Sequence, residues 1–348
     1  MTSRDAKKRT PKRVGRAPLW RAGIALALVA MAGAAVYVAP RAPSRLPAEL
    51  RLPLPPSPPP REASVAPPSL APTSPPAGAM PSAPPAIPPR EPPRAAQPLP
   101  APWQRYAATA PAADGRPWVA IVIDDLGLDR KRSLRTVALP GPLTLAWLPY
   151  AHDVTQQAAA ARRQGHEILL HLPMQPQGKE NPGPNALTVD LSAEEIRRRV
   201  ASGLALLPEA VGLNNHMGSR FTRDAGAMAP VAAELKERGQ LFLDSRTALN
   251  SIAGEVARTA GVPTALRDVF LDNEPIPVAV AERLAETEAI ARRRGHAIAI
   301  GHPHDVTLDA LEPWLRGLAA RGLVLAPVSA IVKRDRERLA SAHAATTR

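Results

Sequence analysis

The sequence from Trp118 onward predicts an α/β fold built on a parallel sheet that closes into a (β/α) barrel. Three observations carry that expectation. Residues 119–123 form a short, continuous apolar run, which suits a strand buried on both faces of a parallel sheet. Strand-like and helix-like segments then alternate as far as Ala326, the pattern of a sheet with crossover helices. About eight strands are expected, and no Gly-x-Gly-x-x-Gly turn follows the first, which favours a barrel over an open dinucleotide-binding sheet.

The elements follow from local pattern. Residues 118–127 (WVAIVIDDLG) read as the first strand, ending in two adjacent aspartates. Residues 143–148 (LTLAWL) read as a strand, 154–163 as a helix and 166–172 (HEILLHL) as a strand. Ser192, with Glu195 three residues on, opens a helix through Leu206 in a capping-box pattern. A brief strand at 211–214, a helix at 224–238 and a strand at 241–243 come next. A helix near Glu255, a strand at 269–271 and a helix at 278–294 follow. The last elements are a strand at 297–300, a helix at 308–321 and a strand at 323–326. The domain is expected over 118–333, with a polar, fraying tail at 334–348.

The first third of the chain is of another kind. Residues 1–17 form a basic head with Arg4, Lys7, Lys8, Arg9, Lys12, Arg13 and Arg16. Residues 18–39 hold the uncharged apolar run GIALALVAMAGAAVYVA, read as a membrane anchor, with a cleaved signal sequence as the rival. Basic residues before that run keep the N-terminus in the cytoplasm and export the rest. The expected location is the bacterial inner membrane, single-pass, with the domain in the periplasm. Residues 40–117 contain 26 prolines and few large apolar residues, the composition of a disordered, extended linker.

Charge and composition exclude other classes. The chain carries a net charge of +13, but residues 118–348 hold 28 Lys+Arg against 26 Asp+Glu. The domain therefore has no bias toward polyanions, and no nucleic-acid partner is expected. With no cysteine, there is neither a disulfide framework nor a thiolate metal site.

Polar residues gather at the ends of five strands: Asp124 and Asp125; His171; Asn214, Asn215 and His216; Asp244, Ser245 and Arg246; His302 and His304. In a parallel barrel these ends meet at one mouth, where the catalytic groups of such folds collect. Carboxylates and imidazoles without thiolates suit a hydrolytic divalent-metal site, with zinc first among the candidates. Taken singly, each has a plainer reading. The aspartate pair could cap a helix, His171 could be a bonded core histidine, Asp244 and Arg246 a structural ion pair, and His304 simply exposed.

At these residues the chain resembles the divergent polysaccharide deacetylases, relatives of the NodB-like carbohydrate esterases. The segments IDDLG, HEILLHLPMQP, GLNNHMGSRFT, FLDSRT and IGHPH carry the likeness in order and spacing. The resemblance implies a distorted barrel of that type and a divalent metal, most simply Zn2+. It also implies hydrolysis of an acyl group from a carbohydrate of the cell envelope. By position, Asp124 corresponds to the base, Asp125 and His171 to metal ligands, and His302 to the acid. Asp244 and Arg246 fall where the family orients its base and acid. The family's second metal histidine would stand at Gln175, so His216 is expected to supply the missing ligand. The alternative is a non-catalytic module on a degenerate barrel that binds envelope glycan or protein.

Overall fold

The structure is a computed structural model and describes residues 99–346. The basic head, the apolar run at 18–39 and the linker up to residue 98 lie outside the described residues, and so does the expected membrane anchor. Among the described residues no helix is long and apolar enough to cross a membrane.

In chain order the elements are α1 (Pro102–Arg105), β1 (Trp118–Leu126), α2 (Arg130–Val137), β2 (Thr144–Trp147), α3 (Val154–Arg163) and β3 (Glu167–Met174). They continue with α4 (Ala193–Leu206), β4 (Gly212–Met217), α5 (Ala225–Arg238), β5 (Leu241–Asp244), α6 (Ala253–Thr259) and β6 (Thr264–Leu266). The last are β7 (Val269–Phe270), α7 (Pro277–Arg294), β8 (His296–Gly301), α8 (Asp305–Arg316), β9 (Val324–Leu325) and α9 (Val328–Thr346). Ser192 caps α4 as expected, accepting from the Glu195 N–H at 3.2 Å, and Asp224 caps α5 by accepting from Ala227 at 2.9 Å. The Glu195 carboxylate does not reach back to complete a capping box; it pairs with Arg198 and Arg199.

All strand pairs are parallel, in the order β6-β5-β4-β3-β2-β1-β8-β7, with β9 beside the start of β1. The expected barrel is corrected at one seam. Among the described residues no ladder joins β6 to β7, so the sheet is a curled half-barrel with helices outside it. The two strands flanking the seam are the shortest pair in sequence succession, three and two residues long, and offer few donors for closure.

Alternation along each strand separates two cores. Val119, Ile121 and Ile123 of β1 face the surrounding helices with Ile168, Leu170, Leu213 and Phe242. Ala120 and Val122 face the inside of the curl with Ala146, Leu169, Leu241, Leu243, Ile298 and Ile300. The same parity continues to the carboxyl ends, where Asp124, His171, Asn214 and His302 lie on the inner side.

The amino-terminal pole of the curl is closed by chain on both sides of the domain boundaries expected from sequence. Trp103 of α1 is buried in the inner core, and its N–H donates to the Gly239 carbonyl at 3.2 Å. The packed unit therefore begins before Trp118, within the stretch read as linker. The expected fraying tail is also corrected. Val328, Ile331 and Val332 of α9 enter the inner core, and good helix formers carry the helix to Thr346. Arg334 lies over the Trp118 ring at 4.5 Å and donates to the Gly295 carbonyl at 3.1 Å.

Glu167 joins these parts. It is fully buried at the start of β3, on the inner side. Its carboxylate accepts from Thr144 Oγ1 at 3.0 Å, from the Ser329 N–H at 3.1 Å and from the Ser329 hydroxyl. Burial pushes its carboxyl up from the ordinary 4.5, against the opposing hydrogen bonds from Ser329, Thr144 and Ala108. The folded state thus holds this proton to higher pH than the unfolded state. Its contribution is fully present below pH 4.5 and is lost as pH rises through the raised value. Thermal unfolding across pH 4 to 8 should show wild-type Tm falling relative to Glu167→Gln as pH rises; a constant gap would exclude the linkage.

Candidate active site

Two neighbours in a strand point to opposite faces, yet Asp124 and Asp125 both reach the mouth. The ladder to β2 is irregular between Ile123 and Leu126, and Asp125 sits at φ 58°. Left-handed backbone at an aspartate is tolerated, and here it swings the second carboxylate to the inner side. Asp124 is buried, with 2% exposure, whereas Asp125 opens onto a cavity of about 420 Å³. His171, His216, Ser245, Arg246, Arg267, Phe270 and His302 also line that cavity.

Asn214 ties the inner residues together. Its Nδ2 donates to Asp124 Oδ1 at 2.8 Å, and its Oδ1 lies 2.8 Å from His171 Nδ1. Nδ1 of His171 is therefore the protonated nitrogen, and Nε2 turns to the cavity. There it lies 3.2 Å from Asp125 Oδ1 and 3.2 Å from His216 Nδ1, and His216 Nδ1 lies 2.8 Å from Asp125 Oδ1. Burial opposes ionisation of Asp125, but the adjoining imidazoles of His171 and His216 outweigh it and hold the carboxyl far below the usual range. Burial also resists a charge on His171, but Asp124 and Asp125 overcome it and raise its pKa.

These three groups fit a divalent ion. Their donor atoms lie within 4.8 Å of one another. Tetrahedral zinc with N and O ligands sets donor atoms about 3.3 Å apart, close to the spacings here. Two imidazoles and one carboxylate leave a coordination position open, as hydrolytic sites require. Gln175 takes no part: its Oε1 accepts from the Val189 N–H at 3.0 Å, and its main chain holds Leu187, Arg220 and Phe221.

Across the cavity, His302 Nε2 lies 3.9 Å from Asp125 Oδ2. Its Nδ1 is 2.9 Å from Asp272 Oδ1. Asp272 is a residue the sequence reading missed. Its Oδ2 accepts from the His302 N–H at 2.6 Å and from Thr307 Oγ1 at 2.8 Å, which fixes the imidazole. Burial resists the charge on His302, but Asp272 foremost, with Asp124, lifts it to about 9. His304 stands beside it at the start of α8, without a side-chain hydrogen bond to the helix, with ring centroids 5.9 Å apart.

The orienting roles expected for Asp244 and Arg246 are not what their contacts show. Leu243 faces inward, so Asp244 faces outward. Its carboxylate accepts from Ser251 Oγ at 2.8 Å and from the N–H groups of Gly254 and Arg246 at 3.1 and 2.8 Å, which shapes the loop. Asp272 instead holds His302, and Asn214 holds Asp124. The arginine beside the buried carboxylates is Arg267, whose Nε donates to the Ser245 carbonyl at 2.6 Å. Burial pushes Asp124 up, opposed by the charges of His171 and His302 and by the Asn214 bond.

Residues 121–332 match the family model described as divergent polysaccharide deacetylase. The chain belongs to this family. Among its relatives, it is 36% identical over 212 residues to the uncharacterized protein YibQ of Escherichia coli, covering 61% of this chain and 66% of that protein. It is 36% identical over 200 residues to an uncharacterized protein of Haemophilus influenzae, covering 58% of this chain and 71% of that one. The chain thus spans slightly under two thirds of the length of YibQ. A crystal structure of the uncharacterized protein ATU2773 from Agrobacterium tumefaciens matches with TM-score 0.64 and 33% identity, over 66% of this chain and 95% of that one. The curled parallel architecture is therefore shared with a solved structure of similar sequence.

Metal loading separates the histidines. His216→Ala should lose stoichiometric zinc, whereas His302→Ala should retain it, as read by elemental analysis of purified protein. Asn214→Ala, which frees the His171 tautomer, should weaken zinc binding by roughly 10- to 100-fold. Full zinc in His216→Ala would remove that residue from the ligand set.

Proposed function

We propose that the domain is a metal-dependent hydrolase that removes an acetyl group from a carbohydrate of the cell envelope. One observation carries the reading: a buried aspartate and a histidine–aspartate pair face each other across a cavity beside an Asp-His-His donor cluster. Membership of the polysaccharide deacetylase family supports carbohydrate as the substrate class.

Asp125, His171 and His216 would hold the ion, with zinc the best match to two imidazoles and a carboxylate. When bound, it supplies Lewis acidity toward a carbonyl oxygen and toward water. Asp124 takes the proton of the water that attacks the acyl carbon; its raised affinity for protons suits a base. Asn214 keeps that carboxylate aimed at the mouth. His302, charged at neutral pH and steadied by Asp272, donates its proton to the departing amine or alcohol. The products are acetate and the free amino or hydroxyl sugar.

Gln175 favours a second reading, a glycan- or protein-binding module without turnover, because the position of a usual family ligand is used for backbone contacts. Acetate release decides between them. Zinc-loaded protein should release acetate from N-acetylated oligosaccharides, and Asp124→Asn should slow it by roughly 10²- to 10⁴-fold. Asp272→Asn should move the alkaline limb of the pH–rate profile to lower pH, since His302 loses the charge that raises its pKa. No acetate above a zinc blank would favour the binding module.

We also propose that the apolar run at 18–39 anchors the chain in the inner membrane and places the domain in the periplasm. A reporter fused after Arg348 should be active only outside the cytoplasm; cytoplasmic activity would overturn the placement.

A further inference from the structure

At the edge of the cavity stands Arg246, a residue the proposed hydrolysis leaves without a role. It is exposed, and among the described residues its guanidinium has no hydrogen-bond or ion-pair partner. Its backbone sits at φ 49°, in the left-handed region that side-chain-bearing residues rarely occupy. The surroundings impose that conformation from both sides. Asp244 Oδ1 accepts the Arg246 N–H at 2.8 Å, and Arg267 Nη2 donates to the Arg246 carbonyl at 2.8 Å. One residue before, the Ser245 N–H donates to Asn215 Oδ1 at 2.9 Å. One residue after, Thr247 Oγ1 donates to the Met217 carbonyl at 2.8 Å. Strained backbone persists where its neighbours over-determine it, and such positions gather at ligand sites.

A second cation stands behind the first. Arg267 lines the same cavity and lies 4.9 Å over the Phe270 ring. Burial, and after it the charge of Arg246, pushes the Arg267 guanidinium down. Two like charges on one wall repel, and an anion between or beside them relieves that repulsion. A guanidinium presents a planar fork that matches a carboxylate in two parallel hydrogen bonds.

We propose that Arg246, backed by Arg267, binds a carboxylate on the saccharide in the cavity, so that the substrate class is an acidic acylated glycan. The proposal rests on the cavity being a saccharide site and not on turnover there. A singly charged carboxylate suits the wall better than a doubly charged phosphate monoester, because Asp124 and Asp125 line the same cavity. The loop hydrogen bonds act before substrate arrives, so the backbone from which the Arg246 side chain reaches is already set in the free protein.

The test compares two saccharides on the full chain by titration calorimetry. One is a hyaluronan tetrasaccharide, which carries glucuronate carboxylates beside N-acetyl groups. The other is the same tetrasaccharide with its carboxylates reduced to alcohols. Wild type should bind the acidic form at least about tenfold more tightly, with the preference shrinking as salt rises. Arg246→Asn removes the guanidinium but keeps a residue that suits left-handed backbone, so Tm should hold while the preference collapses to near unity. Arg246→Lys keeps the charge without the fork and should show an intermediate preference. Equal affinity for the two saccharides in wild type, survival of the preference in Arg246→Asn, or no binding of either at millimolar concentration would overturn the proposal. Acetate released equally from both would overturn it and leave the hydrolase reading standing. A carboxylate preference lost in Arg246→Asn, with no acetate released by wild type, would overturn turnover alone and support this assignment.

Discussion

An extended strand alternates its side chains, so two adjacent residues cannot both serve a site on one face without a break in the backbone. Asp124 and Asp125 depend on such a break. The left-handed turn at Asp125, placed where the ladder to β2 loses its regular register, gives one short segment both a buried and an open carboxylate. Everything at the mouth is arranged around that division. The buried member is bonded by Asn214 and pushed toward protonation, while the open one is flanked by two imidazoles and held ionised. Two chemically identical groups thereby acquire different affinities for protons, the condition for assigning them different work.

The inner face of the sheet behaves as one continuous column. Mostly small and branched side chains fill its middle, between the buried Glu167 group at the amino-terminal end and the polar groups at the level of Asp124, His171 and Asn214. Because the pairing is parallel and in register, His171 opposite Asn214 and Pro173 opposite His216 fall at neighbouring heights. The imidazole pair is thus a consequence of strand register. It does not depend on loop conformation, which suits a site whose donor atoms must hold position to within a fraction of an ångström.

Much of this was legible in the residues. The alternation of strand and helix and the convergence of polar groups at strand ends rest on pattern and spacing, whereas the expectation that His216 replaces a ligand absent at Gln175 came from the family resemblance. What escaped did so for physical reasons. Helix α2 (RKRSLRTV) buries only Ser133 and Thr136 and leaves Leu134 exposed, so it has no apolar periodicity to read. Asp272 stands just past the strand read at 269–271, so its place at a strand end was open to reading and went unused. Asp244 was misplaced although its parity was available: Leu241 and Leu243 face inward, and an aspartate one step on must face outward. The half-barrel seam was beyond reach, because closure depends on hydrogen bonds between β6 and β7 that no side-chain pattern encodes.

Both ends of the packed unit meet at one pole. Trp103 and the first turn of α9 enter the same inner core beneath the strands, opposite the carboxyl ends that bear the polar groups. A segment of any length or composition can therefore be joined at either end without crossing the mouth that bears the polar groups. Such a head is free to be carried on stalks of different reach. What joins those ends can vary without disturbing the side that carries the carboxylates and imidazoles.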